Sequence, residues 1–224
     1  MIYLRVPKTA STSLSMQILD KLELQPGDFS TGFGSPTYGW QKEQGFANVV
    51  SRISTNPLKI DEHSMLNVLP HFGLLKEEQL ESYSVYGFLR NPLDRFFSMF
   101  THMFDILYID VSKMSKEEIA ESGISILKNA KIPYSYTKTI QRKIVFPLHP
   151  QSHWLIHNNK PISNIVLYPN FDQFLKTWTG SSKLKFKEKI GKKPIHSEVG
   201  SDLIDQIRHW YADDFELWER FSRP

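Results

Sequence analysis

A chain of 224 residues with 40% hydrophobic and 13% aromatic content can bury a sizeable core, and we read it as one domain over residues 1–224. Its 27 Lys and Arg against 24 Asp and Glu leave a net charge of +3, which favours anionic ligands without demanding nucleic acid. The absence of cysteine excludes disulfides, thiolate catalysis and cysteine-ligated metals, and no apolar run reaches the length that spans a bilayer. The N-terminus lacks the order of a signal peptide, so the expectation is a cytoplasmic protein with no membrane anchor.

Ile2, Tyr3, Leu4 and Val6 form a short β-prone run that Pro7 ends, and Leu14, Ile18, Leu19 and Leu22 then recur at helical spacing. Residues 25–45 hold five glycines and two prolines among Phe29, Phe33, Tyr38 and Trp40, which reads as an ordered surface excursion. Ser84 to Leu89 is a second buried-strand segment, followed by Arg90, Asn91 and Pro92 and by the helical pattern Leu93, Phe96, Phe97, Phe100, Phe104. Ile165 to Tyr168 reads as a third strand, and Leu203 to Phe221 as one C-terminal amphipathic helix carrying Ile207, Trp210, Tyr211, Leu217 and Trp218. Strands alternating with helices point to an α/β fold with a central, mostly parallel sheet flanked by helices.

The loop after the first strand, "RVPKTASTSL", carries the first chemistry. A strand-to-helix loop presents unpaired backbone N–H groups and the positive end of a helix dipole, a ready anion site. Thr9, Ala10, Ser11, Thr12 and Ser13 are small and supply hydroxyl donors, while Lys8 supplies a mobile ammonium. The lysine comes first and no glycine appears, so this is not a Walker A loop. The plainer reading makes Ser11 a helix cap and Lys8 a solvated surface residue.

The second loop, "YGFLRNPLDRFFSMF", puts Arg90 at a strand end and Ser98 two turns into the next helix, so both can face one anion, with Arg95 between them. A guanidinium fork suits phosphate, and a serine hydroxyl adds an uncharged donor. An ordinary ion pair of Arg90 with Asp94 or Asp61 is the competing reading. Two anion loops, one led by Lys and one by Arg-Asn-Pro, point to a nucleotide with phosphates at both ends.

"VPKTASTS" together with "LRNPLDRFFS" resembles the two cofactor-binding segments of sulfotransferases that use 3′-phosphoadenosine 5′-phosphosulfate (PAPS), in particular the carbohydrate branch that includes heparan sulfate 2-O-sulfotransferase. "HPQSHWL", "YPNFDQFLKTW" and the Tyr-x-x-Asp-Phe element of "WYADDFELW" also resemble segments of that branch, leaving residues 24–58 and 105–145 uncovered as the place for acceptor-specific parts. The resemblance implies a P-loop-NTPase-like fold and a PAPS-dependent enzyme that sulfates a hydroxyl. Pro7, Lys8 and the Thr9–Ser13 run would hold the 5′-phosphosulfate, with Lys8 steadying the leaving oxygen. Arg90 and Ser98 would bind the 3′-phosphate, which distinguishes PAPS and its product PAP from ATP. Among Lys183, Lys185, Lys187, Lys189, Lys192 and Lys193, the last two would cover the cofactor, although a lysine run is also an ordinary solvated face.

Sulfuryl transfer is in-line and depends on positioning and electrostatics, and the acceptor hydroxyl needs a base. The spacing of His63 from "YGFLRN" resembles that of the histidine base of the branch, and an imidazole takes a proton near neutral pH without a large shift. Glu62 is the alternative base; His71 reads as structural. His149, His153 and His157 recur at i, i+4 and i+8, a spacing that suits metal on one helix face, but Pro150 and the lack of an acidic partner motif favour no metal, with His153 as a site wall or core group. No divalent cation is required, since Lys8 and His63 can manage the charge.

The animal carbohydrate enzymes carry a membrane helix and disulfides, so this chain is expected to be a cytoplasmic enzyme of bacterial or viral type. Its acceptor would be a glycan or glycoconjugate in the first instance, with Tyr38 and Trp40 able to stack on a sugar. Two other readings compete. A nucleotide-dependent phosphotransferase would need the glycine loop and magnesium carboxylates. A non-enzymatic module binding anionic polysaccharide would use the 183–193 lysines with Arg142 and Lys143.

Overall fold

The computed structural model describes residues 2–4, 6–9, 77–130, 148–180 and 199–223. They fall into two compact units, one from Met1–Leu89 and His153–Glu188, the other from Arg90–Ser152 and Lys189–Pro224. Strands and helices alternate around a small parallel sheet, so the class is α/β, with helix predominating among the described residues.

In the first unit, β1 (Ile2–Leu4), β2 (Val85–Leu89) and β5 (Asn164–Leu167) form a parallel sheet in the order β1-β2-β5. Leu4 stands opposite Gly87 and Leu89 opposite Leu167. The central strand is the near-continuous apolar run that a strand covered on both faces requires, with Val85, Phe88 and Leu89 buried. Ser163 fixes its start, accepting from Val85 N at 2.9 Å and donating to Val85 O at 3.2 Å. A short helix α1 (Glu77–Ser82) precedes β2.

Ahead of β5, β3 (Ile156–His157) and β4 (Lys160–Pro161) make a hairpin whose turn residues Asn158 and Asn159 both have positive φ, 49° and 60°. Two asparagines in that region are the chemistry of a type I′ turn. β5 stops at Leu167 rather than Tyr168, because Pro169 cannot continue a ladder and Tyr168–Asn170 turns instead into a single 3₁₀ turn. The helix that follows, which we label α5 (Phe171–Thr179), lays Phe171 and Phe174 on Phe88, ring centroids 5.3 and 5.0 Å apart.

The second unit is helical. α2 (Pro92–Ile106) carries the Phe96, Phe97, Phe100 stripe expected from its spacing, all three buried. α3 (Lys116–Ala130) lies in the stretch the sequence left without an assignment, and Ser115 and Glu118 close a reciprocal capping box at its start, at 2.7 and 3.1 Å. Its Ile119, Leu127 and Ala130 join the α2 phenylalanines, Leu203 and Ile207 in one core. Gly123 lets Leu203 approach closely: a Cβ there would stand 2.7 Å from the leucine Cδ2. Between the units' sequence segments, α4 (Ser152–Leu155) is a single helical turn.

The C-terminal helix expected over Leu203 to Phe221 is two helices, α6 (Ser201–Trp210) and α7 (Ala212–Ser222). The break is Tyr211, at φ −106° and ψ 29°, which ends one helix and starts the other. Neither Pro nor Gly marks it; the anchoring of the Tyr211 side chain described below does. The expected helix at Leu14 to Leu22, the 25–45 excursion, Arg142, Lys143 and the 183–193 lysines lie outside the described residues.

Candidate active site

β1 leaves its sheet through a tight turn. Val6 N–H donates back to Leu4 O at 3.0 Å, Pro7 fixes its own φ, and the buried Thr9 hydroxyl donates to Val6 O at 2.8 Å. Between them Lys8 is half-buried in the left-handed region, at φ 62°. A side chain there costs roughly 1–2 kcal/mol relative to the right-handed region, and such a residue persists only where its surroundings dictate it. The Thr9 hydroxyl, expected from sequence among the cradle's donors, spends its proton on the backbone and holds the turn. Ala10, Ser11, Thr12 and Ser13 lie outside the described residues.

Arg90 follows the last residue of β2 and precedes the cap of α2. Asn91 Oδ1 accepts from Leu93 N at 3.0 Å and Asp94 N at 3.4 Å, and Pro92 has no N–H to give. The first amides of α2 are thus taken by the cap, so an anion bound here is met by side chains and not by the helix end. Ser98 stands half-buried on the second turn. Arg95, which lies between Arg90 and Ser98 in sequence, is 1% exposed and is a core residue.

Arg90 is held by its backbone. Its N–H donates to Gln151 Oε1 at 2.9 Å, and Gln151 Nε2 donates to Arg90 O at 2.8 Å, so the side-chain amide does what a neighbouring strand would do. Gln151 is fully buried and is itself anchored: Asp214, in the first turn of α7, accepts Gln151 N–H and Ser152 N–H, each at 2.7 Å. The Arg95 guanidinium lies over the Tyr211 ring, 5.9 Å from its centroid, and the Tyr211 hydroxyl donates to Leu148 O at 2.6 Å, beside Trp210 Nε1 at 3.2 Å on the same oxygen.

Burial dominates the electrostatics of this cluster. It pushes the Asp214 carboxyl above its ordinary range, against Arg95 and the two backbone N–H donors that favour the anion. Burial likewise presses Arg95 below its ordinary value, opposed by Tyr211 and Asp214, and raises the Tyr211 phenol, opposed by Arg95. An arginine does not give up its proton in a protein, so Arg95 and Asp214 are two desolvated groups of opposite charge that stabilise one another, with the Asp214 carboxylate also accepting two backbone N–H groups.

Of the residues singled out by sequence, Lys8 and Thr9 share the β1 turn after Pro7, and Arg90 and Ser98 lie on the second loop and its helix. Glu62, His63, His71, Lys192 and Lys193 lie outside the described residues. His149, His153 and His157 do not share a helix, since α4 spans only Ser152–Leu155, and His153 is exposed where a wall or core position was expected. Gln151, Asp214 and Tyr211 lie in the segments "HPQSHWL" and "WYADDFELW" that carry part of the resemblance, which gave them no role in the site. One signal was there: Asp214 falls on the same helical face as Leu217, both buried, and an acid in an apolar stripe calls for a buried partner.

No helix among the described residues is long and apolar enough to cross a membrane. The family model of the sulfotransferase family matches residues 1–188. No curated protein and no solved structure matches the chain.

Proposed function

The chain belongs to the sulfotransferase family, and on that premise we propose that it moves the sulfuryl group of PAPS to an acceptor hydroxyl, on a glycan or glycoconjugate, within a single domain of P-loop-NTPase-like plan. The observation that carries the reading is the β1 turn: a lysine held at φ 62° by a proline before it and a buried threonine bond after it. A backbone conformation that disfavours a side chain is kept there for an ammonium. In this reading Lys8 neutralises the charge that develops on the bridging oxygen as PAP leaves, while backbone and hydroxyl donors from Pro7 to Ser13 hold the 5′-phosphate.

Arg90 and Ser98 take the 3′-phosphate, and Lys192 and Lys193 cover the cofactor. His63 accepts the acceptor hydroxyl's proton as its oxygen attacks sulfur, with Glu62 as the alternative base. Atoms balance without a redox partner: an S–O bond to the acceptor forms, the S–O bond to the 5′-phosphate breaks, and the proton goes to the base. No divalent ion is required in this scheme, so turnover persists in EDTA; a strict magnesium requirement would sink it. The reading is of a cytoplasmic enzyme.

Thermal shift separates this from the two competitors. Stabilisation by PAP and not by ATP with magnesium supports the sulfotransferase, the reverse supports a phosphotransferase, and stabilisation by heparin alone supports a polysaccharide-binding module. Labelled PAPS screened across glycans, lipids and phenols then identifies the acceptor class.

A further inference from the structure

We infer that Gln151 is a positioning residue for Arg90 and that, keyed by Asp214, it sets the preference for a nucleotide with a 3′-phosphate over one without. The inference rests on the reading of Arg90 as a 3′-phosphate ligand and adds a residue and a role which that reading does not contain.

Arg90 lies one residue beyond the β2 ladder, whose last pair is Leu89 with Leu167. Beyond that last pair, the Gln151 amide meets both the Arg90 backbone N–H and its C=O, at 2.9 and 2.8 Å. The two bonds hold the peptide units on either side of the Arg90 Cα, one through its N–H and the other through its C=O. The guanidinium sits at the end of a long side chain, so a small rotation of the backbone at that Cα displaces the fork by more than bidentate phosphate binding tolerates. Position at Arg90 is thus set from behind, through the main chain.

The amide's orientation is itself determined. Nε2 faces two acceptors, Arg90 O and, at 3.4 Å, Asp214 Oδ2, while Oε1 faces the Arg90 N–H. Rotating the amide by half a turn would oppose oxygen to oxygen and N–H to N–H. Asp214 also holds the Gln151 main chain at 2.7 Å, so the clamp is anchored at both its backbone and its tip by one carboxylate from α7. A residue that only satisfied a strand end would need the two bonds to Arg90 but not this second anchoring.

The test titrates the full chain with PAP and with adenosine 5′-phosphate, which lacks the 3′-phosphate, by calorimetry. Gln151→Met keeps the volume and removes both bonds; PAP affinity is expected to fall about tenfold, the effect of two ordinary hydrogen bonds, with adenosine 5′-phosphate affinity unchanged. An equal loss on both nucleotides, or no loss on PAP where Arg90→Ala abolishes the preference, overturns the inference. If Arg90→Ala itself keeps the preference, the Arg90 assignment fails first and takes the inference with it.

Hydrogen exchange on the unsubstituted chain gives an answer whether or not the variants fold. PAP, and not adenosine 5′-phosphate, is expected to slow exchange at Arg90 and at Gln151 together, and protection of the first without the second overturns the clamp.

Discussion

The Asp214 carboxylate accepts the Ser152 backbone N–H at 2.7 Å across a separation of 62 residues, tying the first turn of α7 to the start of α4. The same group accepts Gln151 N–H and lies in the field of the buried Arg95. Removing it therefore orphans two amides and leaves a desolvated guanidinium without its counter-charge. Breaking one side of a buried pair costs about 3–5 kcal/mol, whereas a neutral isostere keeps part of the hydrogen bonding. Asp214→Ala is expected to lose about that much in urea unfolding and Asp214→Asn distinctly less. Equal, small losses would show that Arg95 does not depend on this carboxylate.

Tyr211 gives the cluster a pH dependence. Burial holds the phenol's folded-state pKa above its ordinary value of 10.0, so in alkali the unfolded chain gives up the proton first. The stability linked to this group is complete below pH 10 and falls as pH rises toward the raised value. Tyr211→Phe lacks the bond to Leu148 O and should be about 1–3 kcal/mol less stable at neutral pH. Its deficit should shrink as urea midpoints are followed upward from pH 10, and a deficit constant with pH would mean that the phenol ionises equally in both states.

The elements legible in the sequence are those whose cause is local. β2 is an apolar run and α2 an apolar stripe behind an Asn-Pro start, and both appear where their patterns put them. The break at Tyr211 has no local cause: α6 and α7 continue one stripe, and the interruption comes from a hydroxyl reaching Leu148, 63 residues away. The role of Gln151 was illegible for the same reason, because its partners are a backbone 61 residues before it and a carboxylate 63 residues after it. Arg95 shows the converse. Its place in the chain, between Arg90 and Ser98, does not say which way it faces, and helical periodicity turns it toward the core beside Phe96 and Tyr211. A charged residue becomes a core residue only when a distant counter-charge exists, and one chain read in order does not show it.

Gly87 makes the packing of the central strand a test of the fold. A Cβ at this position would collide with the Leu155 side chain and stand 3.0 Å from Ile162 Cδ1, and both neighbours are buried. Overpacking of this kind costs typically about 1–3 kcal/mol, so Gly87→Ala should lower the urea midpoint and Gly87→Val should lower it further. Adding Leu155→Ala opens the space the new methyl needs. The double variant is therefore expected to be more stable than the sum of the two single losses, by the coupling that contacting residues show, and strict additivity would remove Leu155 as the obstacle.

Lys8 separates stability from chemistry, because what the fold would prefer at this position is not what the reaction needs. At φ 62° a glycine is at ease and a side chain is not, so Lys8→Gly should melt no lower than the unsubstituted chain while Lys8→Ala, which keeps the strain, should melt close to it. Both variants lack the ammonium. If Lys8 steadies the departing 5′-phosphate oxygen, both should lose sulfuryl transfer by about 10²–10³-fold in kcat, the usual loss when one donor to developing charge is removed. Lys8→Arg keeps the charge but spreads it over a fork, and should recover PAP binding better than it recovers kcat. A Lys8→Gly chain that melts high and still turns over PAPS would take the lysine out of the reaction and leave the turn without a reason for its strain.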